Sequence, residues 1–314
     1  MKKIAIILGM ILLAAGTAFA AEKLLFSDNF KNYKTGADAS PAWDIMNGNW
    51  EVTEEGFEGK NSGTGGFSAV GAAAGDEAWQ DYILKLKFKV LEVGGDWRDG
   101  PWIGFRFLDQ GTNYTLGFYA SGAYLHKANE GASTGDNNPL AQYGCAVMDG
   151  KWHSLEIKAE SNRIAIKIDG KGVIDILDDN LADIPAPKAG RIMLSARRFN
   201  PGTTAVVFSN VEVFGIVHTA DEQTLRAKTE EKLKIQKALW EALTKKAGGI
   251  ASVAGEASED PVFIYLANWL KRIEASFKEA EQKVKVFEVE TAGKTADEIE
   301  ADLKTIGQRM AVFK

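Results

Sequence analysis

Six aromatic and basic side chains are the residues of this sequence best suited to bind a ligand. Aromatic rings present flat apolar surfaces to the C–H face of a sugar, and arginine or histidine donates hydrogen bonds to hydroxyls and carboxylates. Strand alternation places the six on one outward face of a predicted sheet, and they are Trp102, Arg106, Tyr119, Tyr124, His126 and Arg197. Trp97 and Arg98 lie in a Gly-rich loop (94–100) and are predicted to rim the same cleft. The alternative is that these rings are buried against a loop or the C-terminal part of the chain.

Other reactive residue types lack the spacing that chemistry requires. His126, His153 and His218 do not have metal-ligand spacing. His153 alternates with Leu155 on the apolar side of a strand, as a hydrogen-bonded core histidine does. Cys145 is the single cysteine, so no internal disulfide can form, and we interpret it as a small buried apolar residue. The spacing of these residues therefore predicts no catalytic residue and no cofactor.

The element that organises the chain is an antiparallel strand pair within residues 151–176. Apolar and polar residues alternate on both sides of a turn at Ser161-Asn162. Asp169-Gly170 then supplies the positive-φ pair of a tight hairpin. The outward positions here and in the segment 82–90 predict a solvated face rich in lysine: Lys85, Lys87, Lys89, Lys158 and Lys167.

Short alternating segments of this kind recur up to about residue 216. Further strands are predicted at residues 24–30, 43–46, 49–52, around 57, 82–90, 102–108, 114–119, 124–127, 191–198 and 205–214. Asn47-Gly48 predicts a hairpin with a type I′ turn, whereas residues 61–75, rich in Gly, Ser and Ala, predict a loop. No amphipathic helix separates the strands, which favours an antiparallel two-sheet jelly-roll sandwich in a mainly β plus α chain.

The pattern changes to helices after Val217. Thr219 to Glu222 forms a capping box, and the helix is predicted to end at Gly248-Gly249. A second helix is predicted from Pro261 and a third from a capping box at Thr295 to Glu298. Apolar stripes on these helices favour a three-helix bundle within the chain. Docking on the sandwich, or a coiled coil with another chain, are the alternatives.

The first twenty residues have the pattern of a secretory leader. Lys2-Lys3 precedes an apolar run, and Ala18-Phe19-Ala20 fits a cleavage site after Ala20. We therefore expect export to the periplasm or the cell exterior, with no stable membrane span after cleavage. The 314 residues carry a net charge of −6, which gives no reason to expect a nucleic acid as partner. The predicted domains are a signal peptide (1–20), a jelly-roll domain (24–216) and a helical domain (219–314).

Several segments occur in an order that resembles a known superfamily. They are WIGFRF (102–107), NYTLGF (113–118), YLHK (124–127), GKWHSLEI (150–157), IDGK (168–171) and FSNVEV (208–213). Together they resemble the concanavalin A-like lectin/glucanase superfamily, with the laminin-G-like and 3-keto-disaccharide hydrolase-like bacterial domains as the most similar branches. The resemblance covers residues 24–216 and leaves the helical tail unassigned.

The resemblance implies a glycan as ligand, bound on the concave sheet. The glucanase branch carries three carboxylates in a Glu-x-Asp-x-x-Glu strand, and that spacing is absent here, which argues against that mechanism. Members of the superfamily often hold a structural calcium ion, which would lie near Asp28-Asn29 and Asn210 in this chain. A second candidate calcium site is the acidic group of Asp175, Asp178, Asp179 and Asp183.

Three functional hypotheses follow from these features. The first is an exported, non-catalytic carbohydrate-binding or surface-recognition protein, whose helical tail mediates oligomerisation, tethering or contact with a protein partner. The second is a glycoside hydrolase or lyase with an atypical active site that uses Arg106, His126 and a loop carboxylate. The third is a structural component of an envelope or filament.

Overall fold

The structure is a computed structural model that describes residues 21–253, 261–285 and 288–310. The predicted leader and cleavage site lie outside the described residues. The strands are β1 (Ala21–Asp28), β2 (Asp44–Asn47), β3 (Asn49–Val52), β4 (Phe57–Gly63), β5 (Ser68–Ala74), β6 (Tyr82–Glu92), β7 (Gly100–Asp109), β8 (Thr112–Tyr119), β9 (Gly122–Asn129), β10 (Ala132–Ser133), β11 (Ala141–Tyr143), β12 (His153–Glu160), β13 (Arg163–Ile168), β14 (Lys171–Leu177), β15 (Arg191–Arg198) and β16 (Gly202–Val217). The helices are α1 (Ala220–Val253), α2 (Pro261–Lys285) and α3 (Val289–Met310).

The strands form two antiparallel sheets that face each other, which confirms the predicted sandwich. The first sheet has the order β14-β13-β12-β6-β16-β4-β3, with β1 added on β16. The second sheet has the order β10-β9-β8-β7-β15-β5-β2, with β11 added on β9. One continuous apolar core fills the space between them and includes Leu84, Phe88, Ile157, Leu116 and Leu194.

The predicted alternation of buried apolar and outward side chains is confirmed in β6, β12, β13 and β15. In β15, for example, Ile192, Leu194 and Ala196 are buried in the core, so Met193, Ser195 and Arg197 face outward. Asp169 (φ 50°) and Gly170 (φ 77°) both adopt the left-handed conformation that the tight turn requires.

Two local predictions in the first third of the chain are wrong. Asn47-Gly48 does not close a hairpin, because β2 pairs with β5 in the second sheet while β3 pairs with β4 in the first. Gly48 instead turns the chain from one sheet to the other at φ 80°, where a Cβ atom would meet the Val70 side chain. The segment 61–75 is not a loop throughout: β5 lies within it, and its small residues pack between neighbouring strands.

The helices form a bundle with an apolar core of its own, as the sequence favoured. That core includes Leu233, Ile273, Phe277, Leu303 and Ile306. None of the described helices is long and apolar enough to cross a membrane.

The predicted helix ends are only partly confirmed. Thr219 and Glu222 form the expected capping box, with the Glu222 N–H 3.1 Å from the Thr219 hydroxyl. Helix α1 continues through Gly248-Gly249, so the predicted C-terminal cap is wrong. Thr295 lies inside α3 and donates its hydroxyl to the Thr291 carbonyl, so the box predicted there does not begin a helix.

Candidate functional site

A cavity of about 530 Å³ lies on the outer face of the second sheet. Seven strands of that sheet (β2, β5, β7, β8, β9, β10 and β15) provide lining residues, because alternate side chains point away from the core. Its polar lining includes Asn113, Thr115, His126, Asp136, Ser195 and Arg197. Its apolar lining includes Met46, Phe67, Val70, Phe107 and Met193.

The centre of the site is a stack of three side chains from three strands. The Arg197 guanidinium carbon lies 3.5 Å from the centre of the Trp102 ring. The His126 ring is nearly parallel to Trp102, with 5.1 Å between the ring centres. Trp102 lies flat across β8 because Gly117 opposite it has no side chain; a Cβ atom there would come within 2.6 Å of the indole. With 5% of its surface exposed, Trp102 supports the polar groups and is not an open platform for a sugar.

His126 is the end of a hydrogen-bonded chain of three groups. The Tyr119 hydroxyl donates to Asp136 Oδ1 at 2.6 Å and lies 3.2 Å from His126 Nε2. Because Tyr119 donates its proton to Asp136, its oxygen accepts the Nε2–H of His126, and the ring lone pair is on Nδ1. Burial lowers the pKa of His126 to about 4, which Arg197 also favours and Asp136 opposes. Burial and the bond to Asp136 raise the pKa of Tyr119 above its usual value. At neutral pH both rings are uncharged.

Two surface loops place Asp136 and Trp97 next to Tyr119 in this hydrogen-bonded group. Arg98 makes a bidentate pair with Asp96 and lies 3.5 Å from Asp136 Oδ2. That geometry raises the pKa of Arg98 and lowers the pKa of Asp96. Trp97 contacts the Tyr119 ring edge-on at 5.2 Å between centres, and 47% of its surface is exposed. Trp97 and Arg98, which were predicted to rim the cleft, contact Tyr119 and Asp136 and are not among the residues that line the cavity.

Tyr124 also stands next to this group. Its ring centre is 4.5 Å from that of Tyr119, and its hydroxyl is 2.8 Å from Ser121 Oγ. The structure thus brings together five residues of the predicted ligand face, directly or through Tyr119: Trp102, Tyr119, Tyr124, His126 and Arg197. Of these, Trp102, His126 and Arg197 line the cavity.

Arg106 does not belong to the face on which the sequence placed it. It adopts φ 45° at a bulge in β7, where the pairing with β8 shifts register after Phe105. Its side chain is 1% exposed and donates to the carbonyls of Gln80, Ser161 and Pro187 and to Asp81. The extra residue also reverses the direction of the next side chain. Alternation with Ile103 and Phe105 predicts Phe107 in the core, but the structure places it in the lining of the cavity.

Sequence reasoning missed several residues of the cavity. Ser195 lies on the outward side of β15 between Met193 and Arg197, but the predicted ligand face does not include it. Asp136 lies in the irregular segment after β10, and no periodicity connects it with His126. Phe67 precedes β5, which was predicted as a loop.

The carboxylates considered for calcium have protein partners. Asp28 accepts hydrogen bonds from the Phe30 N–H, the Tyr33 hydroxyl and the Trp43 indole. Asp178 is buried and bonded to Lys127 and to the Tyr114 hydroxyl. Within the described residues no group of three or more His, Cys, Asp or Glu side chains is arranged to hold a metal ion. A calcium ion stays a prediction.

The chain matches known proteins over the sandwich. A sequence model of the 3-keto-alpha-glucoside-1,2-lyase-like domain family matches residues 25–213. No curated protein matches the chain in sequence.

Among solved structures, three similar ones illustrate the range. A carbohydrate-binding module of Bacillus subtilis is 22% identical with a TM-score of 0.42, and the match covers 54% of this chain and 93% of that one. The exoplasmic/lumenal domain of VIP36 bound to Ca2+ and Man3GlcNAc is 16% identical with a TM-score of 0.46, over 65% and 94% of the two chains. The catalytic domain of an endo-1,3-beta-glucanase from Thermotoga petrophila is 11% identical with a TM-score of 0.44, over 64% and 100%.

Proposed function

Because the chain belongs to the family of 3-keto-alpha-glucoside-1,2-lyase-like domains, we propose that it binds a carbohydrate in the cavity on the outer face of its second sheet. The observation that carries this proposal is a cavity of about 530 Å³ that is lined by both polar and apolar side chains. That size is typical of sites for small ligands. Sugars present both kinds of surface, since their hydroxyls hydrogen-bond while their C–H faces pack on apolar groups.

The polar side chains of the lining offer donors and acceptors at fixed positions. Arg197 and Ser195 come from β15, and Thr115 and Asn113 come from β8. Because these strands belong to the middle of a sheet, the spacing between their side chains is rigid. Such a site binds without first ordering its own side chains, which favours affinity.

Non-catalytic recognition is the first form of the proposal, and an elimination reaction is the second. The family description supports the second form, and so does one observation: His126 is neutral at physiological pH and keeps a ring lone pair. In a 1,2-elimination, a base takes the proton on C2 of a 3-keto glucoside, whose acidity the C3 ketone increases. The C–H electron pair becomes the C1=C2 double bond, the C1–O bond breaks, and the glycosidic oxygen takes a proton. His126 would be the base, held by Tyr119 and Asp136.

Binding is tested by isothermal titration of a panel of oligosaccharides against the full chain and two variants. Ser195→Val fills the floor of the cavity and removes a hydroxyl, so we expect affinity to fall about tenfold or more. Ser154→Val makes the same change on the outer face of the first sheet and leaves affinity unchanged. Equal affinities of the two variants and the parent chain would exclude this cavity as the binding site.

Catalysis is tested separately with a 3-keto-α-glucoside. The elimination form predicts release of the aglycone together with an unsaturated keto sugar, and His126→Gln abolishes this release while leaving binding within about threefold. If the parent chain binds the glucoside and releases nothing, the protein is a binding module and the elimination form is rejected.

The helical tail and the leader complete the proposal. The predicted leader supports an exported protein that meets its glycan in the periplasm or outside the cell. The outer surface of α1 carries exposed apolar side chains, including Ile235 and Leu239, which supports a role of the tail in self-association or protein contact.

A further inference from the structure

Arg197 is a cation that forms no ion pair within the part of the chain that the structure describes. Its guanidinium is held by ring contacts: Trp102 lies 3.5 Å, Phe67 4.8 Å and Phe199 5.4 Å from the guanidinium carbon. Throughout residues 21–253, 261–285 and 288–310, the structure shows no ion pair and no hydrogen bond of this side chain. The side chain is partly buried, and a charge that loses part of its hydration without gaining a partner destabilises the fold.

Other arginines that are buried or lie near the cavity are used differently. Arg106 donates to three carbonyls and Asp81, and Arg198 donates to the carbonyls of Gly65 and Asn200. Arg98 is paired with Asp96. Arg197 keeps its donors free at the wall of the cavity, so the contrast indicates that a ligand completes its bonding.

The charges around the cavity do not cancel that of Arg197. Asp136 is the carboxylate on the lining, and it already accepts from Tyr119 and faces Arg98 at 3.5 Å. His126 is neutral, as described above. Lys127 directs its ammonium into the sandwich, where it pairs with Asp178. Burial lowers the pKa of Arg197 to about 10, which still leaves it charged at neutral pH.

From this geometry we infer that the sugar bound in the cavity carries an oxyanion, a carboxylate or a sulfate ester, which pairs with Arg197. One face of the guanidinium is covered by the Trp102 ring, so the N–H donors remain accessible in the guanidinium plane. Two parallel N–H bonds in that plane match the two oxygens of a carboxylate or of a sulfate. Ser195, two residues earlier on β15, supplies a hydroxyl on the same wall. This inference rests on the proposed function and specifies its ligand.

A second basic cleft must be distinguished from this site. It lies between the sandwich and the helices and is lined by Arg106, Lys188, Arg226 and Lys285. An acidic sugar attracted only by positive charge would bind there as well. The variant Lys188→Gln removes one charge from that cleft and is the matched control.

The test is titration calorimetry of the full chain with matched short oligosaccharides. One pair is trigalacturonate and its methyl ester, and the other is a sulfated disaccharide and its unsulfated form. We expect the parent chain to prefer the anionic member of at least one pair by about tenfold or more. Preference within the first pair identifies a uronate ligand, and preference within the second identifies a sulfated one. Arg197→Met removes the preference, and Lys188→Gln keeps it.

The outcomes separate the inference from the function beneath it. If carbohydrates bind in the cavity but neither pair shows a preference for its anionic member, the inference is wrong and carbohydrate binding stands. Loss of the preference in Lys188→Gln instead of Arg197→Met also overturns it. If no member of a broad carbohydrate panel binds, both fail.

Thermal unfolding provides an independent check on Arg197. Methionine keeps contact with the Trp102 ring and removes the uncompensated charge, so Arg197→Met is expected to unfold within a few degrees of the parent or higher. A decrease of about 10 °C or more would show that Arg197 is retained for stability, and would overturn the inference.

Discussion

Arg106 and Arg197 extend from the same sheet and have opposite surroundings. The Arg106 guanidinium satisfies carbonyl groups of three separate segments, at residues 80, 161 and 187. It therefore links the segment before β6 to the β12–β13 turn and to the β14–β15 connection. Without Arg106, carbonyl groups in these segments would lack a donor. Arg197 instead has aromatic contacts and free donors. Hydrogen-bond partners therefore decide which arginine is structural.

Replacing Arg106 with methionine is expected to destabilise the fold by about 3 kcal/mol, because several buried acceptors lose their donor at once. Denaturant unfolding monitored by circular dichroism measures the change. Arg272→Gln, at an exposed position of α2, is the control and is expected to change stability by less than about 0.5 kcal/mol. Equal unfolding midpoints for the two variants would contradict the structural role.

His126 and His153 are expected to titrate in opposite directions from the usual histidine range. Burial lowers the pKa of His126 to about 4. His153 is also affected by burial, which lowers its pKa, but hydrogen bonds to Asp169 and Asp149 outweigh this and raise it. NMR of the imidazole C–H resonances should show His126 constant from pH 9 down to about 5 and His153 still charged at pH 6.5.

The two shifts have opposite consequences for stability. Between pH 6.5 and 4 the unfolded chain binds a proton at His126 that the folded chain does not, so this group lowers stability as the pH falls. His153 binds its proton more tightly when folded, so its contribution is present below pH 6.5 and is lost as the pH rises through its folded pKa. A His126 resonance that titrates near pH 6.5 would contradict the buried, neutral ring.

At the scale of elements, the bulge in β7 determines which side chains reach the cavity. Before the bulge, Trp102 and Gly104 face outward. After it Phe107 faces outward, whereas Arg106 is directed to the carbonyls at residues 80, 161 and 187. Because of this single extra residue, apolar Phe107 lines the cavity and basic Arg106, which was predicted to contact the ligand, does not.

Gly117 is the element-scale requirement for the stack of Trp102 and Arg197. Gly117→Ala introduces a Cβ atom within 2.6 Å of the indole, which must shift and take Arg197 with it. We expect at least a tenfold loss of carbohydrate affinity, measured by titration calorimetry, with a smaller effect on folding. Gly172→Ala in β14 is the matched control, since no atom lies within 4 Å of the new Cβ there. Equal affinity of both variants would show that the position of Trp102 is unimportant for binding.

At the scale of the molecule, the sandwich and the helices have separate cores. Contacts between them include the ion pairs Arg163–Glu288 at 2.8 Å and Lys285–Asp179 at 2.6 Å. Both pairs are partly exposed to solvent, and such pairs contribute little, at most about 1 kcal/mol each. The cavity residues all lie within the sandwich.

Removal of residues 220–314 is therefore expected to leave a folded sandwich that binds carbohydrate within about threefold of the full chain. Circular dichroism and calorimetry of the truncated chain measure fold and binding. Light scattering of both forms tests the tail: self-association that disappears on truncation supports an oligomerisation role. A truncated chain that is unfolded would show that the two parts depend on each other.

The sequence by itself determined the sandwich and most of the outward face. Strand alternation follows from the two-residue period of the backbone, which is local, so Trp102, Tyr119, His126 and Arg197 were identified without the fold. The helix start at Thr219 was also predictable, because a capping box uses groups only three residues apart.

The tertiary structure decided the features that depend on residues far apart in the sequence. The bulge at Arg106 and the sheet exchange at Gly48 depend on pairing with distant strands, so alternation extended past them gives the wrong face. The partners of Asp136 and the absence of one for Arg197 within the described residues depend on loops far apart in sequence. The same local pattern predicted that Arg106 and Arg197 both lie on the ligand face. Among the residues described, distant segments provide hydrogen-bond acceptors for Arg106 but not for Arg197, whose donors are therefore available to a ligand.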